Sequence, residues 1–259
     1  MSSIGVLLSE YRKRSHLSQL ELALLAEVST RHISFFETGK SAPSRDMLLK
    51  LADSMALSLQ DSNLLLNSAG YTAVYGNLEF TSPAMTPVRQ ALGMMLDRQN
   101  PYPALVLDGD WNILMVNEGQ RKLGERLAIS PDPSRSGNLL ELVFDPDGFR
   151  PVIENWEEVA SHLLRRLRRQ LVTFSRPGHV ALYENLLNRN PPRNWQTPST
   201  SRSDAPVMTV DLRVENRVIK LFSTLSQFGT ALDVGTADIL IENYFPADAA
   251  SREFFNGAN

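Results

Sequence analysis

The sequence has no cysteine among its 259 residues. That absence excludes a disulfide framework, a thiolate metal site, a cysteine nucleophile and cysteinyl-flavin photochemistry. Long apolar runs are missing as well, since no stretch approaches the roughly 20 residues that a membrane-spanning helix needs. The first residues, MSSIGVLLSEYRKR, place a short apolar run before the charges, which is the wrong order for a signal peptide. These absences predict a soluble cytoplasmic protein that does not contact a membrane.

The motifs of common catalytic sites are also lacking. The sequence has no GxSxG nucleophile elbow, no Walker-type GK[ST] loop and no HExxH zinc motif. Its four histidines stand singly along the chain: His16, His32, His162 and His179. The sequence therefore predicts a protein that is not an enzyme. Spacing alone leaves open a haem-binding sensor that uses His162 or His179.

Residues 19–43, QLELALLAEVSTRHISFFETGKSAP, match a helix-turn-helix position by position. In a twenty-residue window that begins at Gln19, the fifth residue is Ala23, which is small enough to let a second helix cross closely. The ninth residue is Glu27, where glycine is usual because the turn needs a left-handed backbone. Ser29 can cap the following helix. The pattern predicts a recognition helix for the DNA major groove, and the alternative is a helical hairpin that matches by chance.

Apolar residues recur at helical spacing before and after this motif, which predicts an all-α domain over residues 1–70. Its five helices are predicted at residues 4–15, 18–26, 29–38, 45–56 and 59–69.

Polar residues at the N-terminal ends of the predicted motif helices are candidates for DNA contacts. Thr30, Arg31 and Ser34 are expected to reach base edges, and Arg31 is the best candidate for a fork to guanine O6 and N7. The next loop and helix start can hold phosphates, because free backbone N–H groups point outwards there. The predicted DNA-binding set is Gln19, Ser29, Thr30, Arg31, His32, Ser34, Lys40, Ser44 and Arg45.

The charge of this segment is balanced. Residues 1–70 hold seven Lys or Arg against seven Asp or Glu, and the whole chain has a net charge of −3. Since phosphate neutralisation supplies most non-specific affinity, a monomer should bind DNA weakly. Two copies on a two-fold operator multiply the contacts, which predicts a homodimer. The cations expected to flank the DNA are Arg12, Lys13, Arg14, Arg31, Lys40 and Arg45.

The pattern changes in the second half of the chain. Residues 71–100 are interpreted as a connection with a helix at 86–99, which is either a linker helix or a dimer contact. Two β-rich runs then flank the hairpin signature Asp108-Gly109-Asp110, and Asn117 starts a helix. Alternation of apolar and polar residues predicts antiparallel strands near the end. The predicted strands are 104–107, 111–116, 207–214, 218–227 and 237–244, and the predicted helices are 117–127, 155–170 and 177–187.

Two family resemblances extend this interpretation. SQLELALLAEVSTRHISFFETGKSAPSRDMLLKLADSM resembles the DNA-binding domain of the phage-repressor-like bacterial regulators of the Xre or Cro/C1 type. YPALVLDGDWNILMVNEG and LFSTLSQFGTALDVGTADILIENYFPAD resemble the ligand-binding domain of MmyB-like transcription regulators. The resemblance implies an α+β chain with a helix-turn-helix domain at 1–70, a linker with a helix at 71–100 and a PAS-like antiparallel-sheet domain with flanking helices at 101–259. It also implies a transcription regulator with two partners, a double-stranded DNA operator and a small effector.

The inner face of the predicted sheet is expected to line an apolar cavity. The hypothesised occupant is an elongated apolar molecule such as a fatty acid, with its carboxylate held by His162 or Arg166, and no other cofactor is predicted. The same residues could instead fill a core. The C-terminal domain could also be a ligand-free module for dimerisation or partner docking, or a haem or flavin redox sensor. The predicted ligand-binding set is Leu105, Leu107, Ile113, Met115, Asn117, His162, Arg166, Phe222 and Leu225, and the same face is expected to carry Leu212, Leu221, Ile239 and Ile241.

Overall fold

The computed structural model describes residues 3–129, 137–173, 177–197, 207–229 and 231–257. The chain divides into two compact units. The first unit comprises Met1–Leu78 and Thr230–Ala237, and the second comprises Glu79–Gly229 and Asp238–Asn259. Among the described residues, no helix is both long and apolar enough to cross a membrane.

The first unit begins with the five helices that the sequence predicts. Helices α2 to α5 each start after a serine whose hydroxyl accepts a hydrogen bond from the backbone N–H three residues later, as an N-cap does. These serines are Ser18, Ser29, Ser44 and Ser58. The helices are α1 (Ser3–Arg14), α2 (Gln19–Leu25), α3 (Thr30–Thr38), α4 (Arg45–Ser54) and α5 (Leu59–Ser68).

Close approach of α1 and α3 shapes the core of this unit. A Cβ atom on Gly5 would lie 2.4 Å from the carbonyl oxygen of Glu37, so only glycine fits there. Ala23 is buried between the motif helices, as its small side chain predicts. Glu27 has φ 51°, so the turn does adopt the left-handed backbone that usually calls for glycine. Its carboxylate accepts a hydrogen bond from Lys50 at 2.8 Å on the surface.

A short segment from the C-terminal part of the chain completes the first unit. Both carboxylate oxygens of Asp233 accept hydrogen bonds from the backbone N–H of Leu78 at 3.2 Å. The backbone N–H of Val234 donates to the carbonyl of Gly76 at 2.8 Å. This segment contains α11 (Val234–Ala237), which the sequence did not predict.

The second unit is built on a five-stranded antiparallel sheet with the strand order β2-β1-β5-β4-β3. The central strand β5 pairs with β1 on one side and with β4 on the other. The predicted α+β fold is confirmed. The strands are β1 (Ala104–Leu107), β2 (Ile113–Val116), β3 (Val210–Val214), β4 (Arg217–Gln227) and β5 (Leu240–Pro246).

Helices cover the two faces of this sheet. α6 packs Leu92 and Leu96 against Val106 and Ile241 on one face, so it belongs to the second unit. The other face carries the larger apolar cluster, to which α7 to α10 contribute. The helices are α6 (Thr86–Gln99), α7 (Glu118–Arg126), α8 (Leu139–Phe144), α9 (Trp156–Thr173), α10 (Pro177–Leu187) and α12 (Ala249–Asn256), and the 3₁₀ turns are Pro83–Met85 and Arg150–Val152.

Pairing of β1 with β2 shifts register once. Val106 pairs with Met115, but Leu107 pairs with Ile113, so β2 contains an irregularity between these pairs. An extra residue in one strand changes which face the following side chains occupy. Met115 therefore packs with the α6 cluster, whereas Ile113 packs with the larger cluster.

Candidate functional site

An ion pair that joins three helices lies inside the first unit. Arg12 donates to both carboxylate oxygens of Glu37, from Nε at 2.6 Å and from Nη2 at 3.0 Å. Gln19 donates its amide N–H to Oε2 of Glu37 at 2.8 Å. Burial raises the pKa of Glu37. The hydrogen bonds from Arg12 and Gln19 lower it by more than burial raises it, so the pKa lies below the usual value. Arg12 and Glu37 are each only 8% exposed, so this cluster holds α1, α2 and α3 together.

A second polar cluster ties α1 to α5. Tyr11 donates its hydroxyl to Oδ1 of Asp61 at 3.0 Å, and Arg14 donates to Oδ2 at 2.7 Å. The expectation that Arg12 and Arg14 flank the DNA is therefore corrected. Both guanidinium groups neutralise buried carboxylates of the first unit.

The exposed surface of α3 presents the predicted DNA-reading side chains. Arg31 and His32 are exposed. The guanidinium carbon of Arg31 lies 5.0 Å from the ring centroid of Phe35, and Nζ of Lys40 lies 5.5 Å from the same ring. Such cation–π contacts restrain a long side chain without removing its charge from water. His32 stacks on Phe36 with ring centroids 6.2 Å apart.

The other predicted DNA contacts lie around the same surface. Ser29 and Ser44 are exposed, but each hydroxyl already caps a helix. The amide of Gln19 braces Glu37, as described above. Thr30 and Ser34 are partly exposed on α3, and Lys40 and Arg45 are fully exposed in the next loop and at the start of α4. The structure thus brings the predicted set to one region that spans α2, α3 and α4.

The second unit contains a cavity of about 120 Å³ between the sheet and α7 to α9. Its wall is mostly aliphatic and aromatic, and its polar residues are few. The apolar lining includes Pro103, Leu105, Trp111, Leu123, Leu139, Leu140, Val143, Phe149, Ile153, Val159, Leu163, Met208, Val210, Leu212 and Leu221. The polar lining consists of Gln120, His162, Arg166, Ser223, Glu242 and Tyr244.

Glu242 is the least expected of these polar residues. It lies in the middle of the central strand β5, paired with Leu105 on β1 and with Leu225 on β4. It is only 7% exposed, and its Oε2 atom is buried without a hydrogen-bond partner. Burial raises the pKa of Glu242, and the hydroxyl groups of Ser223 and Tyr244 offset only part of that effect by hydrogen bonding.

Two basic residues of α9 face the same cavity. The guanidinium carbon of Arg166 lies 4.5 Å from the ring centroid of Trp111, whose indole N–H donates to Gln170 at 3.2 Å. Burial lowers the pKa of Arg166, and attraction to Glu242 opposes that shift. Burial also lowers the pKa of His162, and repulsion from neighbouring arginines lowers it further. Arg166 is therefore the cationic group of the cavity, and His162 is neutral near pH 7.

The predicted ligand-binding set divides in the structure. Leu105, His162 and Arg166 line the cavity. Leu107 and Ile113 pack in the apolar cluster that surrounds the cavity, but they do not line the cavity itself.

The remaining members of that set lie elsewhere. Met115 packs on the opposite face of the sheet because of the register shift. Phe222 alternates with Leu221, which lines the cavity, and stacks on Phe245. Leu225 shares the face of Glu242 but is exposed at 36%.

Asn117 has a structural task instead. It accepts hydrogen bonds from the backbone N–H groups of Ala104 and Gln120, and it donates to the carbonyls of Leu96 and Tyr102. The expectation that Ile239 and Ile241 belong to the inner face is also corrected, because both pack against α6.

His179 holds the β1–β2 hairpin. It is 2% exposed, and its Nε2 atom lies 2.7 Å from the carbonyl oxygen of Gly109, to which it donates. Within the described ranges, no cluster of three or more His, Cys, Asp or Glu side chains could hold a metal ion.

Comparison with known protein families gives one match for each of the two parts of the chain. Residues 8–61 match the helix-turn-helix family model, and residues 88–256 match the model of the MmyB-like transcription regulator ligand binding domain. No curated protein matches the sequence significantly. A helix-turn-helix DNA-binding domain followed by a ligand-binding domain makes the protein a transcription regulator. Because the second match spans well over half of the chain, the chain belongs to the family of MmyB-like transcription regulators.

Proposed function

We propose that this regulator controls transcription in response to an elongated apolar effector, such as a fatty acid, that occupies the cavity of the second unit. The observation that carries the proposal is the composition of the cavity wall. An apolar wall gains free energy when it removes alkyl surface from water. The polar residues, Arg166 among them, can orient one polar end of the same molecule. An amphiphile fits this combination better than a sugar or a nucleotide, which would need many more polar partners.

Arg166 is the group that we assign to the effector's polar end. Its charge is partly removed from water, and Glu242 attracts it from the sheet. A carbonyl or carboxyl oxygen of the effector would accept a hydrogen bond from its guanidinium group. His162 faces the same space and is neutral, so it would serve as a hydrogen-bond partner and not as a counter-charge.

On the DNA side, we propose that two copies of the chain bind a two-fold operator through α3. Exposed cations support this assignment: Lys13, Arg31, Lys40 and Arg45. The remaining cations of residues 1–70, Arg12, Arg14 and Lys50, form ion pairs within the unit. Four exposed cations outside ion pairs give each chain only weak binding to phosphates, and a dimer doubles their number. Sedimentation of the DNA complex should give two chains per operator, and one chain per operator would contradict the proposal.

Organic extraction of the purified full chain, followed by mass spectrometry, tests the effector. We expect an amphiphile in stoichiometric amount. Leu163→Trp supplies the matched control, because the larger side chain occupies the cavity that Leu163 lines. The variant should fold and carry much less of the same molecule. An empty wild-type extract, with no binding of added amphiphiles, would contradict the effector proposal. A Soret band or a flavin spectrum would replace it with a redox sensor.

A further inference from the structure

The unpartnered Oε2 atom of Glu242 indicates what the polar end of the effector must supply. A buried carboxyl oxygen without a hydrogen bond destabilises the fold, because it has lost its water partners and gained none. Native proteins therefore leave few such atoms, and those that remain call for an explanation. Glu242 lines the cavity and is more than nine-tenths buried, and its Oε2 atom is itself buried without a hydrogen-bond partner.

The groups around Glu242 do not fill this need. Tyr244 and Ser223 on the sheet interact with the carboxyl group, and Arg166 from α9 attracts it, yet none of them hydrogen-bonds to Oε2. His162 on α9 and Gln120 on α7 complete the polar lining. The arrangement places a carboxyl group in the cavity wall and leaves one of its oxygens without a partner from the protein.

We propose that the effector donates a hydrogen bond to Oε2 of Glu242, and that this requirement selects the chemical class of its polar end. This inference rests on the proposed function, because it assumes that an amphiphile occupies the cavity. The polar end carries a donor as well as an acceptor, as a primary amide or a carboxylic acid does. A fatty acid satisfies the rule when its carboxyl group and Glu242 share one proton. An ester of the same chain length has acceptors alone, so it fails the rule whenever Oε2 does not carry the proton of Glu242.

The test compares decanamide with methyl decanoate on the delipidated full-length protein. Binding is measured by calorimetry and by displacement of the fluorescent probe 1-anilinonaphthalene-8-sulfonate. The variants are Glu242→Gln, whose side-chain amide can itself donate to an ester carbonyl, and Glu118→Gln as a control. Glu118 is exposed on α7 and pairs with Arg121, so the control removes a carboxylate outside the cavity. Thermal unfolding verifies that each variant is folded.

At a pH where Glu242 is ionised, we expect wild-type protein to bind decanamide at least about tenfold more tightly than methyl decanoate, since the ester leaves Oε2 unpaired. The preference should persist in Glu118→Gln and should largely disappear in Glu242→Gln. Equal binding of amide and ester by wild-type protein would overturn the inference while leaving an apolar effector in place. So would a preference that survives Glu242→Gln. Failure of both compounds and of decanoic acid to bind would overturn the proposed function itself.

Discussion

Two buried glutamates, one in each unit, have similar surface exposure, but their pKa values are shifted in opposite directions. Glu37 is 8% exposed and Glu242 is 7% exposed. Arg12 and Gln19 saturate the carboxylate of Glu37, so its pKa lies below the usual value. Glu242 keeps one free oxygen and a raised pKa. Glu242 nevertheless lies deeper in the protein than Glu37, so desolvation raises its pKa more, and its hydrogen bonds offset less of that effect.

The comparison separates two uses of a buried charge. In the first unit the pair joins three short helices that must present one surface together, and every polar atom is used by the protein itself. In the second unit a carboxyl group lines a cavity and its partner is missing. A complete hydrogen-bond network makes the surrounding helices rigid. An incomplete network in a cavity wall can be completed by a ligand, and it therefore determines what binds.

The largest predicted effect comes from breaking the complete pair. Glu37→Ala leaves the buried Arg12 without its counter-charge, which should cost about 3–5 kcal/mol of unfolding free energy. Denaturant unfolding of the full chain measures the cost. Glu10→Ala is the matched control, because Glu10 is exposed on α1. A loss no larger than that of the control would mean that the ion pair does not hold the three helices together.

A smaller effect is expected where a cation of the same unit points outwards. Arg31→Ala should cost about 1–3 kcal/mol of operator binding and relax base preference at one position of each half-site. Arg45→Ala should weaken binding evenly across sequences, because a phosphate contact carries no base information. Selection from a random DNA library, followed by affinity measurement, distinguishes the two. Unchanged base preference in Arg31→Ala would show that α3 is docked differently.

A loss of stability smaller than that of Glu37→Ala is expected in the short C-terminal segment that completes the first unit. Asp233 accepts hydrogen bonds from Leu78 and from the backbone N–H of Thr236 in α11. Asp233→Ala should cost about 1 kcal/mol, the usual value of a lost cap. Leu232→Ala is the control, since Leu232 is 84% exposed. Hydrogen exchange at residues 76–78 measures the loss of protection, and unchanged protection would contradict the contact.

The smallest effect is a pH dependence, and its sign is opposite for the two glutamates. Glu242 has a raised pKa in the folded protein, so its contribution to stability is complete below the ordinary glutamate pKa and is lost as pH rises through the folded value. Glu37 has a lowered pKa, so its contribution is present above the ordinary value and is lost as pH falls through the folded one.

Glu242→Gln should therefore remove a decline of stability with rising pH that begins above about pH 4.3. The contribution of His162 is common to both proteins and cancels when their unfolding free energies are subtracted at each pH. Parallel curves for wild-type protein and variant would contradict the raised pKa.

Much of the fold follows from local signals. Serine caps mark the starts of α2 to α5, and a helix at Thr86–Gln99 is predicted with the observed bounds. Asp248 accepts a hydrogen bond from the backbone N–H of Ser251 and caps α12, so this helix start also has a local signal in the sequence. The short α11 has no comparable apolar pattern of its own.

The details of the site depend on tertiary structure that local patterns do not encode. The register shift next to Leu107 decides which face Met115 occupies, and alternation alone does not reveal it. The sequence does not distinguish Arg12 and Arg14 from exposed basic residues, and only the positions of Glu37 and Asp61 show that both form ion pairs within the first unit. For Glu242 the signal was available: it is a single acidic residue inside the apolar strand ILIENYF.

Carbon-13 NMR of the glutamate side-chain carboxyl groups tests the contrast most directly, with Glu37→Gln and Glu242→Gln used to assign the two resonances. In delipidated protein, Glu37 should titrate below an ordinary glutamate and Glu242 above it. Addition of decanamide should shift the Glu242 resonance and leave Glu37 unchanged. Titration of both groups at the same pH, or a ligand that moves neither resonance, would contradict the account.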